Sequence, residues 1–245
     1  MRAKGTPFDL FISGEVVEFV LPGLYDQNTA IGCHGMHHDP GVRSYMNRMS
    51  TAAQLREIRD ATVRIQETTG RRPIHFRAPN FSADERTISG LAGAGYRIDS
   101  SVLPGRMVRR WRVLPVLDHR GAPLVPYHPD EGRLTREGGS PILEVPVTPN
   151  EMLPGGPLGL GYLNAEGSDA AVRAAMKAHS RYTTLLAHSW EMVDWGPADP
   201  VAPWVRTAGS ASLAGFERFL DAFSDATFVN MDRILAAEVD RSRQT

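Results

Sequence analysis

Residues 73–98 read PIHFRAPNFSADERTISGLAGAGYRI. Pro73 to Phe76 is a short apolar run that ends at Arg77-Ala78-Pro79-Asn80, as a buried strand does when it reaches a loop. Ser82-Ala83-Asp84-Glu85 then has the spacing of a capping box, which predicts a helix running to about Gly93. Tyr96 to Ile98 is the next strand. A strand, a helix and a second strand within 26 residues make one β-α-β unit, and such units build parallel sheets.

Upstream, Phe8 to Ile12 is a short apolar strand that closes at Ser13-Gly14, and Glu15 to Phe19 starts a helix. Ala30 to Cys33 is a second strand. Ser50 to Thr69 carries Leu55, Ile58, Val63 and Ile65 among charged residues, so it reads as an amphipathic helix, with Ser50 and Thr51 as candidate caps and Gly70 as its stop. Downstream, Pro104 to Ser140 is rich in Pro, Gly and Arg and lacks a sustained period, which predicts a long irregular excursion with short extended pieces. Ile142 to Val147 returns as a strand, Asp169 to Ser180 as a helix and Tyr182 to Ala187 as a strand. Ser212 to Ser224 is an amphipathic helix, Thr227 to Asn230 a last strand, and a final helix starts near Met231.

The chain has 245 residues, 42% hydrophobic and 22% charged, which suits a single α/β domain with one sizeable core. Its 27 basic and 28 acidic side chains nearly cancel. No field of one sign points to nucleic acid. No apolar run reaches the length of a transmembrane helix, and Asp9 and Glu15 interrupt the stretch that a signal-peptide core would need. The single cysteine, Cys33, excludes an intrachain disulfide and suits a reducing, cytoplasmic location.

His34, Arg77 and His188 each follow the C-terminal end of a predicted strand, the edge where parallel α/β folds assemble their sites. His34 and His38 are four apart, so a tight loop or one helical turn sets both imidazoles on one side, where their nitrogens can bind a divalent metal such as zinc. His37 and Asp39 are neighbouring alternatives. Arg77 can orient a carboxylate through paired hydrogen bonds or form a structural ion pair. His188 can donate a proton to a leaving amine or pack as a structural residue.

Together these pieces resemble the polysaccharide deacetylases that share the NodB homology domain, carbohydrate esterase family 4. The family's H-[S/T]-x-x-H zinc motif is matched by His34-Gly35-Met36-His37-His38, with glycine in place of Ser/Thr. Its R-x-P motif is matched by Arg77-Ala78-Pro79 and its L-x-H motif by Leu186-Ala187-His188. The resemblance runs from about Phe8 to Ile234. It implies a distorted parallel (β/α) barrel and zinc, or another divalent metal, held by His34 and His38. It further implies removal of an acetyl or formyl group from an N-acylated sugar or polysaccharide, with His188 protonating the amine. By the same implication Arg77 holds the base, the backbone N–H of Asn80 assists the oxyanion, and Trp190 walls the sugar site.

One family feature is absent. The first strand of the family ends in two acidic residues, usually T-F-D-D, which supply the base and the third metal ligand, and no such pair occurs here. Gly5 to Glu15 instead resembles the family's second strand, so the first strand and helix are expected upstream of Met1 or missing. Asp9, Asp99 and Glu191 are the substitute acids, Asp9 as third ligand, although Asp99 also suits a turn cap with Ser100 and Ser101. Two functional expectations follow: a zinc-dependent sugar N-deacetylase, or a non-catalytic sugar-binding or scaffold relative that has lost its acids. A sheet lacking its first strand would expose two strand edges and could self-associate into a homo-oligomer.

Overall fold

A computed structural model of the chain describes residues 5–19, 29–38, 45–110, 114–178, 182–196, 199 and 209–242. Its contacts divide into two compact units. The first comprises residues 1–102, 121–146 and 227–245, and the second residues 103–120 and 147–226.

The first unit is built on a five-stranded parallel sheet in the order β1 (Phe8–Ile12), β2 (Thr29–Cys33), β3 (His75–Phe76), β4 (Ile98–Asp99), β9 (Leu143–Glu144). Among the described residues this sheet has two ends, at β1 and β9. Side chains alternate across it. Ile12, Ile31, Cys33, Phe76 and Ala78 face a core completed by Ile58, Ala61 and Ile65 of helix α1 (Thr51–Thr69), by Ile88 and Leu91 of α2 (Glu85–Gly93), and by Tyr96. The alternate positions, Asp9, Phe11, Gly32, His75 and Arg77, lie on the other face. There Phe11, Gly32 and His75 are in register across three strands.

Local chemistry sets the helix limits. The Ser50 hydroxyl caps α1 by accepting from Ala53 N–H at 3.3 Å. Gly70 ends it in the left-handed region, φ 70°, donating its N–H to Gln66 C=O at 2.9 Å. Helix α2 opens one residue pair later than the sequence suggested. Its capping box joins Asp84 and Thr87, while the Ser82 hydroxyl donates to Pro79 C=O and accepts from Met46 N–H. Asp84 wins because Arg86 and Gln54 also hold its carboxylate.

The excursion contributes a hairpin to each unit. β7 (Pro129–Asp130) and β8 (Arg133–Glu137) join the first, and β5 (Met107–Arg110) and β6 (Leu114–Asp118) the second. Tyr127 pairs its backbone with that of Glu144 in both directions, at 3.0 and 2.8 Å, and so covers β9. The C-terminal helix α6 (Met231–Ser242) begins where expected. Thr227 to Asn230 is not a strand, and Asn230 instead meets the first turn of α6 through its side chain.

The second unit packs α3 (Leu160–Glu166), α4 (Ser168–Lys177) and α5 (Ser210–Asp221) around Leu158, Leu160, Leu163, Ala171, Ala174, Phe216 and Leu220. Helix α3 was not read from sequence because Leu160-Gly161-Tyr162-Leu163 is short and starts inside a glycine-rich run. The strand expected at Tyr182 to Ala187 is reduced to one parallel bridge, Gly159 with Leu186. Leu186 donates there to Leu158 C=O at 3.0 Å and accepts from Leu160 N–H at 2.8 Å.

Candidate functional site

In the first unit the site grows from the ends of β2 and β3. His34 follows β2, and its backbone N–H extends the parallel ladder to Ile12 C=O at 2.9 Å. The turn after it needs a positive φ at residue 35, and Gly35 supplies it at +75°. Glycine, lacking a Cβ, takes this conformation without strain. The turn is moored to the end of β1, because Gly14 and Glu15 donate their N–H groups to Gly35 and Met36 C=O, each at 3.0 Å. The Glu15 carboxylate also accepts His38 N–H at 2.8 Å.

This turn brings the expected pair together. The His34 and His38 rings are 4.9 Å apart between centroids and tilted by 36°. His34 Nδ1 lies 2.7 Å from Arg77 C=O, and a carbonyl can only accept, so Nδ1 carries the proton. The lone pair is therefore on Nε2, the arrangement that a carbonyl partner imposes on metal-binding histidines. His37 is turned to α1, where its Nδ1 is 2.9 Å from Glu57 Oε1. Asp39 lies outside the described residues.

Two imidazole nitrogens with one tautomer fixed suit a zinc-like ion, but such a site needs a third donor. Among the described residues no three His, Cys, Asp or Glu side chains are grouped to hold a metal. Asp9 is engaged elsewhere. Its carboxylate accepts Met231 N–H at 3.1 and 3.2 Å, capping α6, and lies 3.3 Å from His75 Nδ1. The other ring nitrogen of His75 is 3.0 Å from Asp232 Oδ1. Burial opposes a charge on His75, but the hydrogen bond to Asp232 and the neighbouring Asp9 carboxylate outweigh it and raise its pKa to about 9.

Arg77 is buried, with 8% of its surface exposed. Nε donates to Ser100 C=O at 2.9 Å and Nη2 to Ser100 Oγ at 2.8 Å. The guanidinium carbon sits 4.4 Å from the centre of the Phe11 ring. That ring folds over Gly32, where an added Cβ would lie 2.5 Å from Phe11 Cδ1. Burial lowers the Arg77 pKa to about 10 against the pull of Asp9, Glu144 and Asp99, yet it stays charged at neutral pH. No carboxylate among the described residues comes within ion-pair distance of it. The base that the family resemblance assigns to Arg77 is not among them.

Asn80 follows the motif proline with φ 57° and ψ 17°, and Phe81 also has a positive φ, 59°. Two successive non-glycine residues in the left-handed region are costly, and such strain concentrates at ligand-handling loops. Sequence reasoning reached Asn80 only through the resemblance, since Asn-Phe carries no glycine to advertise the turn.

The site region also contains a carboxyl pair that sequence reasoning did not find. Asp99 and Glu144, at the ends of β4 and β9, are fully buried. Asp99 Oδ1 accepts Ser101 Oγ–H at 2.6 Å and Glu144 Oε1 accepts Val102 N–H at 3.0 Å. Asp99 Oδ2 and Glu144 Oε2 have no hydrogen-bond partner, and the two residues sit opposite one another on neighbouring strands. Burial raises both pKa values, and the Asp99 charge raises that of Glu144 further, so Glu144 is the member that holds its proton. The turn-capping role expected for Asp99 is seen in its bond from Ser101. Facing Glu144 across neighbouring strands adds the second role.

In the second unit His188 and Trp190 stack, with ring centroids 4.2 Å apart and 17° between planes. Trp190 C=O accepts Trp195 Nε1–H at 3.0 Å. Glu191, within the 3-10 turn Ser189–Met192, accepts His188 N–H at 2.7 Å.

Residues 2–98 match the family profile described as polysaccharide deacetylase. The deacetylase signature expected from the histidine and Arg-Ala-Pro motifs is thus present in that segment. A search of curated protein sequences found no match. A crystal structure described as a polysaccharide deacetylase from Mycobacterium smegmatis aligns with 99% of this chain and 74% of its own length, at 16% identity and TM-score 0.60. The Xyl-CE4 domain of a multidomain xylanase from the hindgut metagenome of Trinervitermes trinervoides covers 97% and 80%, at 11% identity and TM-score 0.54. A CE4-family pseudoenzyme from Bacillus anthracis, BA3943, covers 96% and 57%, at 10% identity and TM-score 0.54. At these identities the likeness is one of fold, the NodB-type α/β architecture expected from the alternating strands and helices. No described helix is long and apolar enough to cross a membrane.

Proposed function

We propose that this chain, a relative of the polysaccharide deacetylases over residues 2–98, is a divalent-metal hydrolase that removes an acetyl or formyl group from an N-acylated sugar or glycan. The observation that carries the reading is the His34 and His38 pair, with ring centroids 4.9 Å apart and His34 Nδ1 bound to Arg77 C=O at 2.7 Å. His34 and His38 would hold the metal, which when bound would supply Lewis-acid activation of the acyl carbonyl. Asn80 offers a backbone N–H from a strained turn to the carbonyl oxygen as it gains charge. His188 gives its proton to the departing amine nitrogen. The Trp190 ring stacked on His188 gives the sugar an apolar wall. Arg77 holds the carboxylate base, a group outside the described residues. The buried free thiol of Cys33, which burial pushes up to about 11, fits a reducing cytoplasmic setting.

The test pairs metal content with product release. Purified chain is titrated with zinc by calorimetry and assayed for acetate or formate from N-acylated oligosaccharides, with His34→Ala and His188→Ala alongside. Expected are zinc binding lost in His34→Ala but kept in His188→Ala, and release lost in both. Release that survives either substitution counts against the assignment. A second reading, a sugar-binding relative without turnover, is favoured by the absence of a third metal donor among the described residues. Glycan binding with no release from the zinc-loaded chain would select it. Domain organisation as one deacetylase-like domain, and self-association, remain part of the proposal and are read by sedimentation.

A further inference from the structure

Glu191 carries a buried carboxylate, 8% exposed, in a turn whose other side chains meet solvent. Burying a carboxylate is costly unless its oxygens are used. Here Oε2 accepts His188 N–H at 2.7 Å and lies 3.4 Å from His188 Nδ1. The second distance is slightly beyond hydrogen-bond length, a looseness common in unliganded sites. Oε1 fills the space above Gly161, where an added Cβ would come within 2.6 Å of it.

The backbone that bears this carboxylate is fixed from two helices. Glu191 C=O accepts Asn164 Nδ2–H of α3 at 3.0 Å and lies 2.8 Å from Ser212 Oγ of α5. Ser212 is buried and also sits 2.8 Å from Asn164 Oδ1, so the three form one brace. The imidazole is thereby limited on two sides, by the Trp190 ring on its face and by Glu191 on its Nδ1 edge.

We infer that Glu191 is the positioning residue of His188. Its carboxylate keeps a proton on Nδ1, so the ring presents Nε2 to the reacting group. During transfer the Nε2 proton goes to the amine nitrogen as its bond to the acyl carbon breaks. The ring is left neutral with Nδ1–H. Gly161 is kept small because any side chain would displace the carboxylate. The catalytic part rests on the deacetylase reading, but the ring geometry does not.

Nitrogen-15 NMR of histidine-labelled full chain in alkaline buffer reads the His188 tautomer, with the resonance assigned by His188→Gln. Expected is an Nδ1–H ring in the wild type and a shift towards Nε2–H in both Glu191→Gln and Gly161→Ala. If the chain is active, Glu191→Gln should lower kcat on the order of tenfold or more with little change in KM, and Glu191→Asp should recover part of it. A wild-type ring protonated at Nε2 would overturn the inference. So would a tautomer indifferent to both folded variants. Absence of all turnover with the expected tautomer changes would reject the deacetylase reading and leave the positioning role standing.

Discussion

Replacing His75 by Gln keeps a polar group beside Asp232 while removing the charge that the two aspartates enclose. His75 rises from 6.5 to about 9 in the folded protein. Each pK unit is about 1.4 kcal/mol between protonation states, so the full rise corresponds to at most about 3.4 kcal/mol. The Asp232 side chain is 53% exposed, and solvent screens that half of the clasp. About 2 kcal/mol is the realistic share. Because the folded state favours the protonated ring, this contribution is complete below the ordinary imidazole value. It is lost as pH rises through about 9.

Urea unfolding of both proteins across this pH range measures the term. Taking the difference between wild type and His75→Gln cancels the titrating groups that do not sense the ring, the Asp99 and Glu144 pair included, and the Asp232 carboxyl, which the ring holds below its ordinary value, is already ionised across this range. The stability gap should be largest in mildly acidic buffer and shrink by about 2 kcal/mol once the ring loses its proton. A gap that is constant with pH, or that widens towards alkali, would refute the reasoning. Equal denaturant slopes for the two proteins confirm that the same folded state is being compared.

Gly35→Ser restores the family's usual residue but forces a side chain into φ +75° with its Cβ 3.3 Å from Pro79 Cγ. The expected cost is about 1–2 kcal/mol, read as a lowered thermal midpoint, and an unchanged midpoint would show that the turn relaxes freely. Glu144→Gln replaces the proton-holding member of the buried pair with an amide that keeps its acceptor for Val102 N–H. Since a raised carboxyl pKa stabilises the fold only while the proton is held, wild type loses stability as pH rises and the variant should not. Unfolding midpoints should be similar in acid, with the variant ahead in alkali. The opposite order would mean that the pair is ionised in the folded protein.

The parts of the fold legible in the sequence are those where one residue decides locally. Ser50 and Gly70 limit α1, and the apolar runs at residues 8–12 and 30–33 announce β1 and β2. Strands of two residues such as β3, β4 and β9 are too short to carry a period, so their limits come from neighbours in the sheet. The bridge at Leu186 shows the same limit. In the strand-like stretch Tyr182 to Ala187, it is Leu186 that bridges to Gly159. In the site, His34 and His38 were visible from spacing because four residues bring two rings to one side. Asp99 with Glu144, and Asp9 with His75 and Asp232, were not. Each joins residues far apart in the chain, and no local pattern marks a long-range pair. Only the acids themselves, embedded in apolar strand runs, hinted at unusual surroundings.

Gly32 has no side chain, and the space it leaves is where Phe11 lies beneath Arg77. Positions 11, 32 and 77 are therefore not free to diverge independently. A methyl group at 32 would lift the aromatic floor, and a smaller residue at 11 would leave the guanidinium unsupported on that side. Among relatives, the absence of a side chain at 32 should travel with the ring at 11, so that a change at one is tolerated only after a change at the other. The order of those steps is an evolutionary trace of a packing constraint, and it can be read by reconstructing the ancestral residues at these three sites.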